Sequence, residues 1–255
     1  MLPLTLNNLA VAKVLAGELD AAASHVAELD ALCEATGTEI APYTALVLAA
    51  WRGREREFGD LIRAALGDVV ARGEGVGVLI AQWARAVLAN GLGRYTEAAV
   101  AARGAGAHPL NPSPGNWGLS ELVEGAVRSG QPELAADAFG RLESITRAGG
   151  TDWALGIQAR AHALLSGGDA AEHLYREAIE RLGRTRLRGE LARALLLYGE
   201  WLRRENRRVD AREQLRAAYE LLAGIGAEGF AERARRELVA TGETVRGLTT
   251  THVTR

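Results

Sequence analysis

A three-position helical signature recurs six times along this chain. It reads Ala22/Val26/Leu29, Phe58/Ile62/Ala65, Ala98/Ala102/Ala105, Ala135/Phe139/Leu142, Ala171/Tyr175/Ala178 and Ala211/Leu215/Ala218. The first positions of successive signatures lie 36, 40, 37, 36 and 40 residues apart. Apolar residues at i, i+4 and i+7 form one stripe of a helix. A stripe that returns at this period marks an array of helix hairpins, each burying its apolar face against its neighbours. The predicted fold class is therefore all-α. Arrays of this kind bind things and seldom carry out chemistry.

Each signature falls on the second helix of a predicted hairpin. A turn precedes it, at 17–20, 53–55, 91–94, 129–132, 166–169 and 205–208. Gly and Asn in these turns accept the left-handed conformation that ends a helix, and Asp or Pro then starts the next one. Twelve residues before each signature stand Ala10, Leu46, Ala86, Val123, Ala159 and Gly199. Four of the six are Ala or Gly, so the two helices of a hairpin can approach closely. This register resembles the tetratricopeptide repeat. The resemblance implies a right-handed superhelical solenoid of about six hairpins, over 2–36, 40–73, 76–107, 115–148, 151–183 and 186–224.

The segment 108–115 carries three prolines and reads as a loop, because proline lacks the donor a helix interior needs. A last helix near 226–241 is expected to cap the stack through Phe230, Ala234 and Leu238. Glu228, Glu232, Arg233, Arg235, Arg236 and Glu237 are assigned to its exposed face. The repeat domain would then span 1–241, and 242–255 would be a polar tail or linker.

Composition excludes several classes. The formal net charge is −2, which offers no general field for nucleic acid. Cys33 is the only cysteine, so neither an intrachain disulfide nor a cysteine-clustered metal site is possible, and a packing role is expected for it. The first 17 residues lack a basic leader segment and are interrupted by Asn7, Asn8 and Lys13. No apolar run reaches the roughly 18–20 residues of a membrane span. The expected location is cytoplasmic.

The C-terminal third carries a more specific signal. LYREAI at 174–179 is succeeded by LYGEWLRR at 197–204, RRVDAREQLR at 207–216 and GAEGFAERARREL at 226–238. These segments resemble the end of the repeat region in large ATP-binding LuxR-family regulators, the MalT-like transcription factors common in actinobacteria. The well-matched stretch covers about 174–243, and the rest agrees in pattern only. The resemblance implies a nucleotide-binding module before the array and a helix-turn-helix after it. This chain has no glycine-rich loop ending in Gly-Lys-Ser/Thr, and no recognition helix is expected after Arg255. Neither ATP hydrolysis nor direct DNA reading carries over to any residue here, and no cofactor is implied.

Candidate sites are few. His25, His108, His162, His173 and His252 show no metal-ligand spacing, and no catalytic set converges in sequence. Trp51, Trp83, Trp117, Trp153 and Trp201 all fall on first helices, but in different registers, which favours scattered packing over one aromatic face. Tyr198 and Trp201 are expected to pack between hairpins. Arg207 and Arg208 are expected to start a helix and pair with Glu200 or Glu205, with Asp210 at the helix N-terminus. If a concave groove binds a ligand, its candidates are polar residues of first helices: Gln82, Arg85, Glu121, Glu124, Gln158, Arg160 and Arg193. Arg160 and Arg193 suit a carboxylate or phosphate in bidentate fashion.

The expectation from sequence is a non-enzymatic module of a LuxR-type regulator that binds an effector or protein partner and passes that state to neighbouring domains. The alternative is a free-standing tetratricopeptide-like adaptor that binds peptides.

Overall fold

The computed structural model describes residues 2–38, 41–72, 75–105 and 112–243. These form thirteen α-helices and, among the described residues, no strand. They are α1 (Leu2–Ala16), α2 (Leu19–Thr36), α3 (Tyr43–Arg52), α4 (Glu55–Arg72), α5 (Gly75–Leu92), α6 (Tyr95–Ala105) and α7 (Pro112–Arg128). The remainder are α8 (Pro132–Gly149), α9 (Asp152–Leu165), α10 (Gly168–Gly183), α11 (Arg188–Arg204), α12 (Arg208–Gly224) and α13 (Glu228–Ala240). The signatures lie on α2, α4, α6, α8, α10 and α12, as their spacing predicts. Ala22, Ala98, Ala135, Ala171 and Ala211 are all fully buried. So are Ala10, Leu46, Ala86 and Val123 on the facing first helices.

The turns arise from local chemistry. Gly53 ends α3 with φ 72°, and its N–H returns to the carbonyls of Ala49 and Ala50. Asn206 does the same work between α11 and α12 at φ 62°, the left-handed region that Asn tolerates better than other side chains. Pro132 opens α8, where a missing N–H costs nothing.

The segment predicted as a loop at 108–115 is partly helical. Residues 106–111 lie outside the described residues, but α7 already begins at Pro112. Its prolines stand in the first turn, where backbone donors have no intrahelical partner anyway. The predicted tail is likewise divided. Thr241 is buried, Gly242 is left-handed at φ 87°, and Glu243 pairs with Arg216 at 2.7 Å. Residues 244–255 lie outside the described residues.

Consecutive helices pack on each other, and the odd-numbered helices also touch in series, α1 on α3, α3 on α5, α5 on α7 and α7 on α9. The C-terminal helices then turn back on the N-terminal ones. α11 touches α1, while α13 packs on α12, α3, α5 and α11. One hydrophobic cluster therefore runs from Val14 to Leu238. Two close approaches permit this closure. A Cβ on Gly53 would stand 2.6 Å from the backbone N of Gly229, and one on Gly189 would stand 2.9 Å from the Trp51 ring.

The C-terminal helix is thus more than an end cap. Phe230, Ala234 and Leu238 are buried as expected. Phe230 also reaches across to Trp51, with ring centroids 5.7 Å apart. Arg233, assigned from sequence to the exposed face, is buried with 3% exposure. It stands three residues from Phe230, and side chains at i and i+3 share a helix face.

Candidate functional site

The interior between α5, α7, α11 and α13 is charged. Glu121, Glu124 and Arg128 lie at i, i+3 and i+7 on α7, so they form one stripe. Arg193 and Glu200, seven residues apart on α11, face that stripe. Arg193 donates to both oxygens of Glu121, at 2.6 and 2.8 Å, and to Glu124 at 2.8 Å. Arg233 donates through Nη1 to the other oxygen of Glu124 at 2.6 Å and to the Asn90 carbonyl at 3.0 Å. Its Nε and Nη2 donate to Glu200 at 2.7 and 3.0 Å. Arg128 also donates to Glu200. Asn90, wholly buried, donates its amide to Glu121 at 2.8 Å. Beside this set, Arg160 of α9 donates to Glu190 of α11 at 2.5 Å.

Such burial is costly unless charges are paired and hydrogen-bonded. Every charge in the set is paired, Arg128, Arg160, Arg193 and Arg233 against Glu121, Glu124, Glu190 and Glu200, although Arg128 Nε, Arg160 Nη2, Arg193 Nε and Asn90 Oδ1 are buried without a hydrogen-bond partner. Aromatic faces take part of the remaining cationic surface. The Arg193 guanidinium lies 4.9 Å from the Phe230 ring centroid, and that of Arg233 lies 5.2 Å from Tyr95. Burial alone would raise the Glu124 carboxyl, but the Arg233 and Arg193 charges hold it well below the carboxylate range. Burial likewise opposes ionisation of Glu190, and Arg160 and Arg193 overcome it. Arg128 goes the other way: burial, then the neighbouring Arg233 and Arg204 charges, lower it to about 10.

The seven residues expected to line a groove separate into three groups. Glu121, Glu124, Arg160 and Arg193 come together, but at 1–2% exposure they face each other and not solvent. The reason is the return of α11 and α13, which covers them. Gln158 is half-buried and accepts from Thr146 at 2.7 Å. Gln82 and Arg85 lie toward α6, where Arg85 is exposed and pairs with Glu97 at 3.1 Å.

Asn90, Arg128, Glu190, Glu200 and Arg233 are not singled out as site residues by the sequence. The available signal is polar residues at apolar-stripe spacing. Arg207 pairs with Glu172 and Asp210, at 2.7 and 2.8 Å, and not with Glu200 or Glu205. Asp210 stands in the first turn of α12, as expected, although no side chain caps that helix. Tyr198 and Trp201 do pack between hairpins, with Tyr198 stacked on Tyr175 at 5.5 Å.

A cavity of about 230 Å³ adjoins the ionic core. Trp83, Trp117 and Trp153 stand on its wall, from α5, α7 and α9, so three of the five tryptophans do share a surface despite their different registers. Trp83 and Trp117 meet edge-to-face with centroids 5.0 Å apart. Glu121 and Glu190 also line it. The half-buried Cys33 stands apart on α2. Among the described residues no helix is long and apolar enough to cross a membrane, and no group of three or more His, Cys, Asp or Glu could hold a metal ion. No protein-family model and no curated protein matches the chain.

Proposed function

We propose that the chain is a non-enzymatic sensing and coupling module, the helical-repeat region of a MalT-like LuxR-type transcriptional regulator, acting in the cytoplasm. In this reading the helices form a right-handed superhelix of about six tetratricopeptide-like hairpins. Its output passes to the ATP-binding and helix-turn-helix domains that accompany such regions, and the chain itself neither hydrolyses ATP nor reads DNA.

The observation that carries the reading is the buried network Glu121–Arg193–Glu124–Arg233–Glu200. It ties the middle of the array to its last helix through residues that no single hairpin contains. Coupling requires an element with discrete arrangements whose balance a ligand can bias. A buried ionic set has that property, because a half-broken set leaves charges unpaired at a cost of about 3–5 kcal/mol. Glu121, Glu124, Arg160 and Arg193, the groove candidates an adaptor would use, are buried against one another, which favours coupling over the adaptor reading.

The test is an allele replacement on the chromosome of the source organism. Deleting the coding sequence, or replacing it with the Glu124→Ala allele, should change a defined set of transcripts in the same direction. Transcript profiles indistinguishable from the parent in the deletion strain would overturn the reading.

A further inference from the structure

We infer that the cavity between α1, α5, α7, α8, α9 and α11 is a binding site for a small, neutral, planar aromatic molecule that carries one hydrogen-bond acceptor. The inference names the effector class of the sensing module, and for that role it rests on the proposed sensing function.

The size is apt. An apolar cavity of about 150 Å³ accommodates benzene. The 230 Å³ here admits a fused two-ring molecule. The wall is built for aromatic contact, with Trp83, Trp117 and Trp153 joined by Leu15, Leu142 and Ile157. Aromatic rings gain beyond area burial from offset and edge-to-face neighbours.

Charge decides the class further. Both wall carboxylates are already matched, Glu121 by the two-pronged Arg193 and Glu190 by Arg160. A cationic ligand finds no free counter-charge there, and an anion would face two carboxylates. On the wall, the Trp153 indole N–H is buried without a hydrogen-bond partner. A turn of the Trp153 ring toward the cavity would let a ring nitrogen or carbonyl on the ligand satisfy it. The mouth is marked by Ile145, which lines the cavity yet is 39% exposed, one of the few large apolar side chains so placed.

The site also touches the coupling element. Glu121 belongs both to the cavity wall and to the ionic network, so a molecule seated there contacts the group that Arg193 and Asn90 hold.

The experiment is a fluorine NMR titration of the whole chain with 6-fluoroquinoline, a neutral two-ring probe with one acceptor. The expected result is saturable line broadening below about 1 mM. Ala154→Trp fills the cavity and should weaken binding by about tenfold or more. Ile145→Arg, at the exposed rim, should do so too while leaving the melting temperature near that of the parent. No saturable binding by the parent chain would overturn the inference, as would binding that survives Ile145→Arg undiminished. The two proposals fail separately. A transcript response in cells without probe binding removes the site and leaves the sensing role. Probe binding without any transcript response removes the sensing role and leaves the site.

Discussion

Arg233 and Glu124 are 109 residues apart in sequence, and a guanidinium nitrogen of one lies 2.6 Å from a carboxylate oxygen of the other. Both are buried, and each has a second ionic partner, Glu200 for Arg233 and Arg193 for Glu124. Removing one member leaves the other charged and unsolvated. Arg233→Ala and Glu124→Ala should therefore each cost about 3–5 kcal/mol, a large part of a typical domain's stability. The double variant should cost less than the sum, with a coupling of about 0.5–3 kcal/mol in urea unfolding. Strict additivity would show that the pair does not interact.

Acid should expose the same pairing. The Glu124 and Glu190 carboxyls are held below their ordinary value of 4.5 by neighbouring arginines. The unfolded chain thus takes up protons there before the folded chain does. Their stabilisation is fully present above pH 4.5 and is lost as pH falls through the lower folded values. Glu124→Gln should flatten the loss of melting temperature between pH 5 and pH 3, while starting from a lower value at neutral pH. Parallel curves for parent and variant would rule this origin out.

Gly53 and Gly130 both have positive φ, 72° and 74°. Alanine at either carries the left-handed penalty of about 1–2 kcal/mol. At Gly130 nothing stands within 4 Å of the new carbon, whereas at Gly53 the Gly229 backbone lies 2.6 Å away. Gly53→Ala should cost about 1–3 kcal/mol more than Gly130→Ala, because α13 must shift. Equal chemical denaturation midpoints would place the close approach elsewhere.

The hairpin seam can be tested within one helix. Ala171 is fully buried on α10 and His173 is exposed. Ala171→Trp should be destabilising by about 1–3 kcal/mol or more, and His173→Trp nearly neutral. Melting temperatures that coincide would contradict the register.

Two truncations separate the contribution of α13 from that of the C-terminal tail. A chain ending at Gly224 loses Phe230 and Leu238, each worth about 1.5–3 kcal/mol of burial, and strips Glu124 and Glu200 of Arg233. It should aggregate or melt well below the parent. A chain ending at Gly242 keeps these groups and should melt like the parent. Light scattering and calorimetry on the two proteins distinguish the outcomes.

Much of this architecture is legible in the sequence because its cause is local. The stripe on each second helix, the left-handed Asn206 and the opening Pro132 depend on neighbours within a few residues. The interior is not legible for the opposite reason. A polar residue at stripe spacing reads as a solvated face unless its partner is known, and Arg233 finds Glu124 only because α13 folds back on α3 and α5. Without those return contacts, Glu121, Glu124, Arg160 and Arg193 read as an open groove. Register alone separates the tryptophans, yet Trp83, Trp117 and Trp153 meet because their helices are staggered around one space.

The fold-back of α13 also sets a timetable. Ribosomes release the N-terminal part first, at about 5–20 residues per second. Glu124 therefore emerges roughly 5–20 seconds before Arg233, its partner 109 residues later. Until then Glu124 and Glu200 cannot be sealed from water with all their partners in place. Helices can form early, but the ionic core closes only when α13 arrives. A nascent chain that stalls before α13 remains chemically distinguishable from one that has passed it, which makes this helix a check on assembly of the ionic core.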